Sequence, residues 1–447
     1  MVQQEISLWI GLVFATLLCA LSGESWAIDQ LPTHLPANHV LNPSSPHNSF
    51  TPTPPSLDAS AYILVDAHSG AILAEKNADK RLPPASLTKI MTMYVTSQAL
   101  HAGQLHLQDK VHISHKAWRM GGSKMFIKVG DNVSIENLVQ GIIVQSGNDA
   151  CVAIAEHIAG DEEAFTTLMN QQAAKLGMNN SHFTDSTGLP HPDHYTSPRD
   201  MAILARAIIN DFPEFYRWYS EKEFTYNNIT QHNRNRLLWR YQHADGIKTG
   251  HTDEAGYCLA SSAQQDDMRL IAIVFGAPSD AARTTDSVRL FNYGFRFYET
   301  HRLFTKEDVI AQPRVWMAEQ NTIPVGLEKP LYLTVPRGQV DKLTTKIYYH
   351  NPLQGPIEKG QILGNLVITL DDNILAQKPI IALQANGQAN IFSRIMDYLA
   401  MKIHQLMHKH GSEKEQGEII PLKISHMTQP AAVEQSMDDL NRGLLQG

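Results

Sequence analysis

Cysteine is scarce in this 447-residue chain: Cys19, Cys151 and Cys258 are the three present. That number cannot staple a small disulfide framework, so stability has to come from buried apolar cores, and Cys151 and Cys258 read as small buried residues. The 43% hydrophobic content suits such cores, and the length suits two or three domains. No dense basic run is present. With 18% charged residues and a net charge of −8, the chain has no surface suited to nucleic acid. A dinucleotide fingerprint, a phosphate loop and a zinc-protease helix motif are also missing, and no cofactor or metal is expected. His404 and His408 lie four residues apart but read as solvated side chains. Residues 8–21 are almost wholly apolar, yet short for a bilayer span. Ser25-Trp26-Ala27 follows with small residues at both positions of a cleavage site, which marks 1–27 as a secretory signal peptide cut after Ala27. The first seven residues lack Lys and Arg and contain Glu5, so an uncleaved anchor stays open as an alternative. Cys19 follows Leu18 rather than a small residue, which argues against a lipoprotein site.

Residues 28–57 are rich in Pro, Ser, Asn and His and have no periodicity, as in a disordered leader. The first folded domain is expected over 58–305. Two apolar runs, 61–66 and 71–75, flank His68-Ser69-Gly70 as a hairpin. Helices are expected from Ser86 to about Leu100, over 135–146 and 149–158, from Thr196-Ser197-Pro198 onward, and over 287–300. Strands are expected over 245–252, 256–262 and 269–276. This order implies an α+β fold, an antiparallel sheet with helices packed on it. Residues 306–387 read as a small all-β module, a spacer or adaptor. Residues 388–410 switch to helical period. There Ile391, Phe392, Ile395, Met396, Tyr398, Leu399, Ile403, Leu406 and Met407 cover half the wheel, and Arg394, Asp397 and His404 lie opposite. Such a helix packs on the protein or lies in a membrane surface. The wide apolar face and the flanking Lys402 and Lys409 favour the membrane. The tail, 411–447, is polar apart from 419–424 and is expected to be mobile.

The chemistry centres on Pro84-Ala85-Ser86-Leu87-Thr88-Lys89. Three residues apart on a helix, Ser86 and Lys89 share one face, with Cβ atoms roughly 5–6 Å apart. A serine hydroxyl is a weak nucleophile, and a neutral amine can take its proton. Neutrality requires burial or a second cation nearby. Lys248-Thr249-Gly250-His251, on an expected edge strand, supplies that cation, a hydroxyl for an anionic substrate and a glycine for close backbone approach. Ser146-Gly147-Asn148 supplies a hydroxyl to relay a proton and an amide to hold substrate or orient Lys89. Read alone, it is also ordinary turn chemistry. The backbone N–H groups of Ser86 and of the strand near His251 can form an oxyanion hole.

The three motifs together resemble those of the low-molecular-mass penicillin-binding proteins, serine-type D-alanyl-D-alanine carboxypeptidases. Gly122-Ser123-Lys124-Met125-Phe126, Asn148-Asp149-Ala150-Cys151 and His232-Asn233-Arg234-Asn235 match that family too, and the resemblance runs from about Ala59 to His410. It implies a penicillin-recognising transpeptidase/β-lactamase-like domain, a small all-β domain and a terminal amphipathic helix. It also implies acylation of Ser86 by the terminal D-Ala-D-Ala of peptidoglycan stem peptides or by β-lactams. Arg283 is implied at the substrate carboxylate, and Arg234 either lines the same cleft or serves as an ion-pair partner. The implied location is the periplasm, attached to the outer face of the cytoplasmic (inner) membrane through 391–409. The long leader and the 411–447 tail depart from the family pattern. A β-lactamase, a D-Ala endopeptidase and a noncatalytic wall-binding scaffold remain as alternatives. Against the first, 180–200 contains no glutamate for deacylation and the second motif is Ser-Gly-Asn.

Overall fold

The computed structural model describes residues 51–349, 352–408 and 418–420. The expected signal peptide, most of the leader and most of the tail lie outside the described residues. The first part is built on a five-stranded antiparallel sheet in the order Ile72–Lys76, Ala61–Asp66, Met268–Ala277, Gly256–Gln265, Ala244–Thr252. Successive side chains of a strand point to opposite faces, and here each face meets its own core. Ile63, Val65, Ile271 and Ile273 face the helices Lys89–His101, Asn148–Ala159 and Pro198–Asp211. Tyr62, Leu64, Leu270, Ala272 and Val274 face the helix Asp280–Phe297. Covered on both sides, these strands are near-continuous apolar runs, which is why they stand out in the sequence. The motif strand 244–252 is the sheet edge, as expected.

Three expectations change. The helix expected over 287–300 begins at Asp280, where the Ser279 hydroxyl accepts from the Ala282 N–H at 3.1 Å. Its first two turns bury Arg283, Thr284, Asp286 and Ser287 through specific partners, and such polar burial leaves no apolar period to read. The leader, expected to be disordered through residue 57, is ordered over its last seven residues, 51–57. The buried Asp286 carboxylate accepts the N–H groups of Asp58 (3.4 Å) and Ala59 (2.9 Å), and the Tyr293 hydroxyl donates to the Pro52 carbonyl at 3.0 Å. The tail, expected to be mobile, contributes Glu418–Ile419 to the β module, where Ile420 N–H donates to the Thr345 carbonyl at 3.0 Å.

The all-β module has a two-stranded ladder, Tyr298–Phe304 with Leu331–Pro336. It also has a five-stranded antiparallel sheet in the order Val325–Gly326, Asn373–Ala382, Ile362–Leu370, Leu343–Tyr349, Glu418–Ile419. Its junction with the first part is polar. Buried Asp66 accepts from the N–H groups of His68 and Ser69 at 3.0 and 2.7 Å and from the Thr300 hydroxyl at 2.7 Å. Thr334 shares hydrogen bonds with Ser69 and Thr300, and His68 stacks on Tyr332.

The helix Ile391–His408 turns its polar side inward. The Asp397 carboxylate accepts the Met317 N–H at 2.9 Å, and Met401 is 4% exposed against the module. Phe392 (79% exposed), Ile391, Met396, Leu399 and Ile403 are left facing outward. Among the described residues, no helix is long and apolar enough to cross a membrane.

Asp66→Ala removes the junction's shared acceptor. It should cost about 1–3 kcal/mol of unfolding free energy, the usual penalty for orphaning buried donors. It should also open the 298–305 connection to limited proteolysis. Melting and cleavage patterns equal to those of the unaltered protein would show that the junction does not depend on this carboxylate.

Candidate active site

Ser86 sits in a 3-10 turn, Ala85–Thr88, that runs directly into the helix Lys89–His101, a tighter start than the α-helix expected. Two backbones press on this turn. A Cβ at Gly250 would lie 2.9 Å from the Pro84 carbonyl oxygen and 3.3 Å from Leu87 N, so the edge strand can rest on the turn only with glycine there. Gly188, with φ +86°, touches from the other side, and a Cβ there would overlap the Ala85 carbonyl.

Lys89 is 1% exposed and lies between these walls. Its amine donates to the Thr187 carbonyl at 2.6 Å and to Ser86 Oγ at 3.0 Å. Burial holds this amine below the ordinary lysine range, the Arg234 charge adds to the shift, and Asp185 and Asp149 partly oppose it. Lys248, 2% exposed, donates to the Thr249 carbonyl at 3.3 Å. Burial, and then the charges of Lys89, Arg234 and Arg283, drive it well below its ordinary range. Of the two lysines, Lys89 is the one that reaches the nucleophile.

Ser146 closes a π-helical turn, Gly141–Gln145, in the left-handed conformation (φ 65°, ψ 35°). Its Oγ is buried and has no hydrogen-bond partner among the described residues, which leaves it available for proton transfer. The Asn148 amide donates to the Gly121 carbonyl at 2.8 Å rather than to Lys89, so its observed task is to hold the 121–127 loop. Asp149 does the same from below, accepting the N–H groups of Met125, Phe126 and Ile127 at 3.0, 3.0 and 3.3 Å. Thr249 is buried, whereas His251 is exposed, its ring tilted against that of Tyr257.

The two arginines differ. Arg234 is exposed and makes no hydrogen bond or ion pair among the described residues. Partial burial and the Arg283 charge pull it below the ordinary arginine range. Arg283 is buried. Its guanidinium donates to the Gly250 carbonyl (2.9 Å), the Cys258 carbonyl (3.1 Å) and the Asp280 carboxylate, so it braces the motif strand from behind. Cys151 and Cys258 are free and buried, and burial pushes the Cys151 thiol up to about 12.

A family model described as D-alanyl-D-alanine carboxypeptidase matches residues 48–279, and the penicillin-binding protein 5 C-terminal domain matches 298–387. The chain belongs to the serine D-alanyl-D-alanine carboxypeptidase family. D-alanyl-D-alanine carboxypeptidase DacC of Escherichia coli K12 is 44% identical over 359 residues, covering 78% of this chain and 90% of the relative. DacA of the same strain is 43% identical over 364 residues, covering 80% and 90%. The crystal structure of penicillin-binding protein 5 from Haemophilus influenzae superposes with a TM-score of 0.73 at 41% identity, over 75% of this chain and 100% of that one. Penicillin-binding protein D2 from Listeria monocytogenes, in its ampicillin-bound form, superposes at 0.51 and 30% identity over 55% of this chain and 100% of that one.

A base must be neutral to accept a proton, so acylation should rise with pH through the lowered Lys89 pKa and be lost as pH falls below it. Lys89→Arg keeps a permanent cation in place of the base. Its acylation rate should fall by about a hundredfold or more at every pH, as measured by penicillin trapping. Retained acylation would move the base elsewhere, with Ser146 the next candidate.

Proposed function

We infer that this protein is a serine-type D-Ala-D-Ala carboxypeptidase that removes the terminal D-alanine from peptidoglycan stem pentapeptides through an acyl-enzyme on Ser86. The observation that carries this reading is the Ser86 hydroxyl held 3.0 Å from a buried amine whose pKa burial lowers from the ordinary lysine range. Lys89 takes the Ser86 proton as Oγ attacks the carbonyl of the D-Ala-D-Ala amide. The oxyanion meets the Ser86 N–H and an N–H of the strand near His251. Ser146, with its free hydroxyl, passes a proton to the leaving amine, and the D-alanine departs. Water then hydrolyses the ester with the same amine as base. β-Lactams enter as amides of similar shape and leave Ser86 acylated.

Lys248, Thr249 and Arg234 receive the substrate carboxylate. Arg234 has no hydrogen bond or ion pair among the described residues, while Arg283 acts through the strand it braces. Asn148 keeps the 121–127 loop against the cleft.

The helix Ile391–His408 is proposed to lie in the outer face of the cytoplasmic membrane, with the enzyme in the periplasm. Its polar contacts to the module through Asp397 leave the apolar face outward, which fits an interfacial helix and not one packed on the protein by that face.

Incubating the protein with a stem pentapeptide should release free D-alanine, and Ser86→Ala should release none. Intact-mass analysis should place one penicillin adduct on the Ser86 peptide. An adduct elsewhere would overturn the mechanism. Amidating the substrate's C-terminus should abolish cleavage, whereas equal turnover of the amide would favour an endopeptidase.

Membrane attachment is tested by fractionation. Deleting 388–447 should release a soluble protein that penicillin still acylates, whereas deleting 411–447 should leave the protein on the membrane. A pelleting 388–447 deletion would place the anchor at the N-terminus.

A further inference from the structure

The stretch 180–200 pairs a buried imidazole with a partly buried carboxylate, and no step of the reaction so far uses them. His194 Nδ1 lies 3.2 Å from the Asp185 carboxylate, and Nε2 lies 2.9 Å from the hydroxyl of Thr88, the residue just before Lys89. Nδ1 is also in reach of the Thr184 N–H (3.4 Å) and hydroxyl (3.1 Å), so the imidazole ties the carboxylate, residue 184 and the Thr88 hydroxyl together. The other Asp185 oxygen accepts the N–H groups of Thr187 and Gly188 (2.6 and 2.7 Å) and the Thr187 hydroxyl (2.7 Å). One carboxylate therefore folds the 185–188 turn, whose Thr187 carbonyl takes the Lys89 amine at 2.6 Å.

We propose that Asp185 and His194 are positioning residues that lock this turn against the nucleophile segment, so that the Thr187 carbonyl fixes the Lys89 amine beside Ser86. The proposal rests on the carboxypeptidase reading of Ser86 and Lys89 and names what sets their geometry. Three contacts converge on it. Gly188 touches the Ala85 carbonyl with no room for a Cβ. The Thr92 hydroxyl, one turn along the Lys89 helix, donates to the Ser186 carbonyl at 2.6 Å. Glu162 holds Ser186 from the helix Glu162–Leu176 through its N–H and hydroxyl. A carbonyl that accepts from an amine constrains its direction, and a misplacement of about 1 Å can cost about a hundredfold in rate.

The electrostatics agree with the geometry. Burial works against the Asp185 charge, but the bonds from His194 and Thr187 outweigh it and hold the carboxyl far below its ordinary range. Asp185 therefore stays an anion near Lys89, where it favours the ammonium form. Asp149 acts in the same direction from the second-motif helix, while Arg234 opposes both and Lys248 faces Lys89 from the edge strand. Glu162, itself paired with Lys116, closes the outer side of the turn.

The test is the second-order rate of Ser86 acylation by penicillin across pH, counted per titratable site, with melting temperature measured alongside. Asp185→Asn is isosteric and removes the charge. It should lower the plateau rate about tenfold or more and move the acid limb to lower pH, because an anion favouring the Lys89 ammonium is gone. His194→Ala should also lower the plateau rate. A shifted melting temperature with the plateau and acid limb of the unaltered protein would overturn the proposal and leave a purely structural pair. Failure of the unaltered protein to be acylated would instead strike the Ser86 mechanism on which it rests.

Discussion

Lys89 is a long ionisable side chain with almost no access to water, and the catalytic part of the molecule is arranged to keep it there. An isolated buried ammonium costs several kcal/mol, so such a group gives up its proton instead. Its amine has two oxygen partners in reach, Ser86 Oγ and the Thr187 carbonyl, and that pairing turns a burial penalty into a base aimed at a nucleophile. The edge strand carrying Lys248 and the 185–188 turn both come within contact of the Ser86 turn. They can do so only because residues 250 and 188 have no side chain.

The parts of the site legible in the sequence were those with a fixed local pattern. Ser86 and Lys89, three residues apart, were recognisable as neighbours on one helix face. The strands 256–265 and 268–277 were visible because a sheet buried on both sides leaves long apolar runs. What stayed hidden depends on which distant carbonyl or amide a polar side chain meets. The resemblance implies Arg283 at the substrate carboxylate, whereas its guanidinium bonds the Gly250 and Cys258 carbonyls. Asp149 reads as one more residue of a motif, yet it holds three backbone N–H groups of another loop. Asp185 and His194 lie in a loop stretch, 180–200, where neither has a local pattern to mark it. The start of the helix Asp280–Phe297 was hidden for the same reason, since its first turns bury polar groups.

The β module and the terminal helix follow a different logic. The amphipathic period of 391–408 was readable, but which face meets the protein was not. Asp397 and Met401 decide it, drawing the polar side inward so that Phe392, Met396 and Leu399 face out. The short strand Glu418–Ile419 then returns the chain to the edge of the same module, which gives part of the tail a structural role that its polar composition does not suggest.

The account depends most directly on the protonation of one amine. Its sharpest test is an NMR titration of Lys89 in the folded protein, using isotopically labelled lysine and Lys89→Arg to assign the resonance. The account predicts a midpoint below the ordinary lysine value of 10.5, with the acylation rate rising across the same pH range. A Lys89 amine that titrates at its ordinary value, in a protein that still acylates at neutral pH, would contradict it.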